Sequence, residues 1–167
     1  RRVLFRSNTS SSNLQYNPST GTLQAIVVKT LNSANNIQIT GNNTTIAPVL
    51  SAVGSDTNIP LVLQPKGTGA LQAQQTDSTA TGGNARGANA VDWQTSRNNA
   101  AQVASGQFSV IAGGTLNKTT SYAGVVSGGY LNSEANGGAI VGGTTNNQSG
   151  GYGFIGAGSN NTIGSNG

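Results

Sequence analysis

The sequence predicts an all-β chain that ends in a parallel β-roll, a β-solenoid with coils of 14–15 residues, preceded by a β-rich shaft. Three observations carry this expectation. A short phrase, VIAGGTLN at 110–117, returns as VVSGGYLN at 125–132, IVGGTTN at 140–146 and FIGAGSNN at 154–161. Upstream, short apolar runs recur at spacings of about ten residues, each closed by Gly, Asn, Asp or Pro. No window of a dozen residues combines helical apolar periodicity with caps.

Composition narrows the possibilities. The 167 residues include 25 Gly and no Cys, His or Met, and only 7% are charged. Such a chain cannot build a thick core of Leu, Phe and Ile. Its recurring β-branched pairs nevertheless separate it from disordered sequences. No stretch resembles a membrane-spanning segment of about twenty apolar residues. Without Cys there is no disulfide or thiolate metal site. Without His as well, a His-based catalytic triad or a His/Cys metal site cannot form within this chain.

The first element is RRVLFRS at 1–7, which carries Arg1, Arg2 and Arg6. Read back as AGA CGT GTG CTC TTC CGA TCT, it resembles the end of a sequencing adapter, so these residues are expected to be an artefact. The chain is then expected to be a fragment, and its basic balance largely disappears. Lys29, Lys66, Arg86, Arg97 and Lys118 face Asp56, Asp77, Asp92 and Glu134, leaving +1. No nucleic-acid partner and no membrane insertion follow from that.

Residues 8–80 read as the shaft. LQY at 14–16 and TLQAIVV at 22–28 flank NPSTG, which has turn chemistry. NIQIT places Ile37 and Ile39 on one face. APVLSAV and IPLVLQ follow, the latter alternating Leu61 and Leu63 against Val62. PKGTG at 65–69 breaks the pattern before ALQAQ. Residues 81–100 read as a junction, with a plausible strand at AVDWQ (90–94). There Val91 and Trp93 share one face, and Asp92 is a partner for Arg86 or Arg97.

Residues 101–167 read as the roll. The four copies align on [IV]-x-[GA]-G-x-x-N. The first position is Ile111, Val126, Ile140 and Ile155. The second Gly is Gly114, Gly129, Gly143 and Gly158, and the last position is Asn117, Asn132, Asn146 and Asn161. Successive steps are 15, 14 and 15 residues, the beat of stacked coils rather than of a globular fold. Each coil has room for two short strands and two tight turns. Gly suits such turns because it takes φ > 0 freely, and Asn is among the few other residues that visit αL. In register, the four Asn can form a hydrogen-bonded ladder along one edge.

Just before the glycines stand apolar pairs: Val110–Ile111, Val125–Val126, Ala139–Ile140 and Phe154–Ile155. Neighbours in a strand point to opposite faces. One member can fill the coil, and the other requires burial against a partner chain, because an exposed apolar stripe is seldom tolerated. Phe108, Tyr122 and Tyr152 add bulk nearby.

SVIAGG, AGVVSGG, GGAIVGG and GFIGAG resemble the head repeats of trimeric autotransporter adhesins. That resemblance covers about 101–167, with a possible first coil at 88–94, and implies left-handed parallel β-rolls with three chains side by side. This chain departs from it by an added residue in two of three steps and by its paired glycines. LQYNPSTGTLQA, GSDTNIPLVLQPKGTGALQ and NARGANAVDWQTSRNNAAQVASGQFSVI resemble bacteriophage tail fibres and related virion appendages. Together the resemblances imply a homotrimeric fibre on a virion that binds a host cell-surface receptor, a glycan. The alternative they imply is the head of a bacterial surface adhesin. The segment is expected to be structural and adhesive, not an enzyme, and to need no cofactor or metal. Lys118, Tyr130 and Asn147, on exposed turns, are the candidate receptor contacts. GYGFIG at 151–156 meets the spacing of a dinucleotide-binding loop, but as the fourth repeat copy it lacks the helix that function requires. A polysaccharide-cleaving spike would need two facing carboxylates, and nothing in the sequence brings Asp92 and Glu134 together.

Overall fold

The computed structural model describes residues 16–17, 22–23, 27–28, 34–41 and 44–164. RRVLFRS and most of NPSTG lie outside them. The chain divides into two compact units, Arg1–Val62 and Leu63–Gly167.

In the first unit, β1 (Tyr16–Asn17) pairs antiparallel with β2 (Thr22–Leu23). β3 (Val27–Val28), β4 (Asn35–Thr40) and β5 (Val49–Gly54) form a second antiparallel sheet in that order. Ile37 lies opposite Ala52 and Ile39 opposite Leu50. Cross-strand partners share a face, so these four residues form one apolar surface, on which Ile37, Ile39 and Leu50 are exposed. Asn35 Nδ2 donates to Asp56 Oδ2 at 2.7 Å, linking the start of β4 to the bend after β5. IPLVLQ is not a strand. Pro60 has no N–H to donate, no strand among the described residues pairs with the segment, and Leu61, Val62 and Leu63 are exposed.

The second unit is a parallel β-solenoid of about five turns, and no helix occurs among the described residues. Its first sheet stacks β6 (Leu71–Gln72), β7 (Val91–Asp92), β8 (Val110–Ile111), β10 (Val125–Val126), β12 (Ala139–Ile140) and β14 (Phe154–Ile155). The second stacks β9 (Lys118–Thr119), β11 (Ser133–Glu134), β13 (Asn147–Gln148) and β15 (Thr162–Ile163). All these pairings are parallel and in register. Besides the two strands expected per coil, a third station appears at the corner: Ser96, Thr115, Tyr130, Thr144 and Ser159 bridge one another in sequence.

The first-position residues make the core. Ile111, Val126, Ile140 and Ile155 pack as one buried column with Ala90 and Ala104, and Ala70 and Ile163 lie against it. The first sheet begins at Leu71, upstream of the repeats, and Val91 and Trp93 turn outward while Asp92 is fully buried.

Hydrogen-bond direction explains the backbone of each coil. Extended residues donate to the coil above, as in Val110 N–H to Gly124 O and Lys118 N–H to Asn132 O, both 2.9 Å. At two places per coil the N–H turns down instead. Ala123 donates to Gln107 O at 2.9 Å, and Leu131 to Thr115 O at 3.0 Å. Those places require φ > 0. They are Phe108, Ala123 and Tyr152 at one corner, and Leu116, Leu131, Thr145 and Asn160 at the other; Gly137 shares the positive φ. Non-Gly residues pay about 1 kcal/mol or more for that conformation. The stacked hydrogen bonds offset it.

Candidate functional site

The repeat glycines are needed for two reasons. Gly114, Gly129, Gly143 and Gly158 have φ of 80°, 87°, 88° and 116°. A Cβ on any of them would also press on the repeat Asn of its own coil, and on the first three it would strike the backbone of the next coil. Their neighbours Gly113, Gly128 and Gly142 have open space where a Cβ would go, which is why the fourth copy can use Ala157.

The asparagines do form a ladder, but not along an edge and not through αL turns. The αL residue is the one before each Asn, and Asn117, Asn132 and Asn146 are buried inside the coil. Asn117 Oδ1 accepts from Asn132 N–H (2.9 Å), Asn132 Oδ1 from Asn146 N–H (3.0 Å), and Asn146 Oδ1 from Asn161 N–H (3.0 Å). Each of these Nδ2 groups holds the carbonyl four residues back, and Asn117, Asn132 and Asn146 also reach the glycine of the coil above. Asn is selected because its amide is the right length to satisfy a corner where consecutive backbone groups would otherwise be buried without partners. The ladder starts one rung earlier than the motif shows. Gln94 Oε1 accepts from Asn117 N–H at 2.6 Å, and its Nε2 donates to Asn117 O and Gln102 O. With Gln in place of Asn, this rung escapes a pattern search.

The second sheet turns Thr119, Glu134, Gln148 and Ile163 inward, and the first three are fully buried. Among the described residues Glu134 has no cationic partner. Its Oε2 accepts the Thr119 and Ser121 hydroxyls at 2.5 and 2.6 Å, and its Oε1 accepts Asn136 N–H and Gly138 N–H at 2.8 and 2.9 Å. Every contact is a donor, so the carboxylate is solvated by the protein itself. Across each coil a glycine makes the room: a Cβ on Gly124 would collide with Glu134, one on Gly138 with Gln148, and one on Gly153 would crowd Gln148 and Ile163. In the coil where the inward residue is the small Thr119, the matching position is Ser109 rather than Gly. The sequence contains this pairing, but it is visible only once the coil closes. Gln148 Nε2 donates to Gly150 O, and its Oε1 has no partner.

Asp92 joins both candidate arginines. Arg86 Nε lies 2.8 Å and Arg97 Nη2 3.1 Å from Asp92 Oδ2, and all three side chains are shielded from solvent. Asp92 Oδ1 accepts Gln94 N–H at 3.1 Å. TDST is an ordered turn: Asp77 Oδ1 accepts Thr79 N–H and Oγ1–H at 2.8 Å and Gly82 N–H at 3.0 Å. The Thr79 amide and then its hydroxyl hold the Asp77 carboxyl below its ordinary range, helped by Gly82 and Gly83. Thus all four carboxylates have structural partners: Asp56 with Asn35, Asp77 in its turn, Asp92 between two guanidiniums, Glu134 among hydroxyls and amides. Among the described residues no group of three or more His, Cys, Asp or Glu could hold a metal ion.

Outside, the two sheets differ. The outward column of the first is Leu71, Val91, Val110, Val125, Ala139 and Phe154. Beside it stand Trp93 and Val141, both about half exposed. Phe108 and Tyr122 meet edge-on nearby, with centroids 5.4 Å apart at 82°. Tyr152 is 90% exposed and Phe154 66%. The outward column of the second sheet is Lys118, Ser133, Asn147 and Thr162. Lys118 and Asn147 therefore share a column with Ser133 between them, while Tyr130 lies in the corner ladder of the intervening coil. The three candidate contacts thus occupy successive coils, two in the outer column of the second sheet and one at the corner. PKGTG forms a turn closed by Gly69 N–H to Lys66 O at 3.1 Å, with Gly67 at φ 59°.

No family model, curated protein or solved structure matches this chain.

Proposed function

We propose that this chain is a segment of a homotrimeric extracellular fibre, a phage tail fibre, that is structural and adhesive rather than enzymatic and presents its roll to a glycan on the host cell surface. The observation that supports it most is the unbroken apolar column of the first sheet, Leu71 to Phe154, beside Trp93 and Val141, against a second sheet whose outer column is entirely polar. A stripe of that kind is a surface made for a partner. The open apolar face of Ile37, Ile39, Leu50 and Ala52 in the first unit points the same way. That the partners are two further copies, and that the fibre belongs to a virion, rests on the resemblance of the repeats and of the upstream segments. The head of a bacterial surface adhesin is the second reading, favoured by the same repeats. The engagement of all four carboxylates in structural contacts supports a role without catalysis.

Sedimentation equilibrium of the full chain tests the assembly. The expected mass is that of three chains of 16.7 kDa, and Val125→Asp, which places charge on the outer column, is expected to give folded monomers. A monomeric parent chain overturns the reading. Glycan-array binding that survives joint replacement of Lys118, Tyr130 and Asn147 by Ala removes those three as the contacts.

A further inference from the structure

The coils are alike, but the end on which they rest is not. Below Ile111 the inner column of the first sheet changes abruptly to Asp92. The loops on either side of β7 close over it. Arg86 Nη1 holds Thr76 Oγ1, Gly82 O and Asn84 O, while its Nε holds Asp92. Arg97 holds Gln74 Oε1, Gln94 O, Gln102 O and Asp92. The loops are tied to each other by Asn84 N–H to Ala100 O and Gly87 N–H to Ala104 O, at 2.8 and 3.0 Å. Gly83 sits so tightly on Val103 that a Cβ would collide with it. These are the only ion pairs among the described residues.

We propose that residues 74–104 are a folding seed: a polar end plate that forms first and onto which the coils add in chain order. Two features give the direction. The plate offers a prepared edge for the first repeat coil, since Val91 N–H donates to Ser109 O and Trp93 N–H to Ile111 O. It also offers the first rung, Gln94, whose amide clamps both the N–H and the C=O of Asn117. Each Asn is then held by a carbonyl of its own coil, such as Asn117 Nδ2 on Gly113 O and Asn132 Nδ2 on Gly128 O. Its Oδ1 is thereby aimed before the next coil arrives to donate to it. At this rung a coil arriving from the opposite side meets no side-chain amide already aimed at it, only backbone groups such as Asn132 N–H and Gly129 O. A lone coil of 14–15 residues cannot bury its own inner face, so it needs such a template. The ion pairs are suited to the task because they close short loops, six residues from Arg86 to Asp92 and five from Asp92 to Arg97, so they cost little loop entropy and can form early.

Pulse-labelled hydrogen exchange during refolding of the full chain, at fixed protein concentration, is the test. Amides of 91–104 are expected to become protected first, followed in order by 110–119, 125–134, 139–148 and 154–163. Arg97→Met, which keeps the stem and removes the charge, is expected to slow refolding about tenfold or more and to change unfolding by less than about threefold. If Arg97→Met does not fold, Gln94→Ala reads the same split. Simultaneous protection of all coils, or protection that starts at 154–163, overturns the seed. So does a variant that refolds at the parent rate and only unfolds faster, the behaviour of a plate that merely shields the edge.

Discussion

The first sheet sends Ile111, Val126, Ile140 and Ile155 into the roll, and the second sends Thr119, Glu134, Gln148 and Ile163. The two columns lie in the same thin interior and are buried to the same degree over most of their length. One is held by apolar contact that any aliphatic side chain of similar size can supply. The other is held by hydrogen bonds that only particular partners supply, with a glycine opposite each long side chain to make room. A narrow solenoid has too little depth for an apolar filling on both walls. One wall can be polar if its groups satisfy the corners of the coil as well as each other.

The largest expected effect comes from exchanging the chemistry of the two columns. Val126→Asp puts a carboxylate where no donor waits, although Glu134 is buried as deeply one wall away. Burying an unpaired charge costs several kcal/mol, comparable with the whole stability of a small domain. The cooperative thermal transition is expected to be lost. A variant that melts near the parent temperature would mean that the apolar wall tolerates charge as the polar wall does, and the contrast would fail.

A smaller effect is expected from Glu134→Leu, the reverse exchange. It removes the acceptor for two hydroxyls and two amides. The hydroxyls can turn elsewhere, but the amides of Asn136 and Gly138 cannot, so about 2–3 kcal/mol is expected in urea unfolding. A neutral result would show that the carboxylate only fills space, as Ile163 does in the same column.

The smallest effect lies at the corner between the walls. Thr145 is β-branched and has φ 57°. Thr145→Gly is expected to raise stability by about 0.5–1 kcal/mol, because relief of the αL strain exceeds the added chain entropy of Gly. Thr144→Gly, one residue earlier in the extended bridge, is expected to lower it by about the same amount. Equal signs at the two sites would sever the link between αL conformation and the downward-facing N–H.

The apolar column, the coil length and the repeat glycines were legible because each leaves a mark at a fixed spacing. That Asp92 pairs with Arg86 or Arg97 was legible because so few charges were available to choose from; that it pairs with both was not. Gln94 was not, since it performs an asparagine's work with a longer side chain outside the repeat. The complementarity of Gly124 with Glu134 and of Gly138 with Gln148 was not, because the partners are ten residues apart and become neighbours only when the coil closes. IPLVLQ carries the alternation of a strand and is not one, since a strand is defined by the neighbour that accepts its hydrogen bonds.

What the sequence determined by itself is therefore the beat of the roll and the residues that alternate in and out of its first wall, because period-two alternation and glycine's freedom at φ > 0 are local properties. What only the tertiary structure decided is which of the remaining residues are inside. A glutamate or an asparagine has no intrinsic preference for a buried place, and acquires one here only because stacking sets donors and acceptors around it at hydrogen-bonding distance.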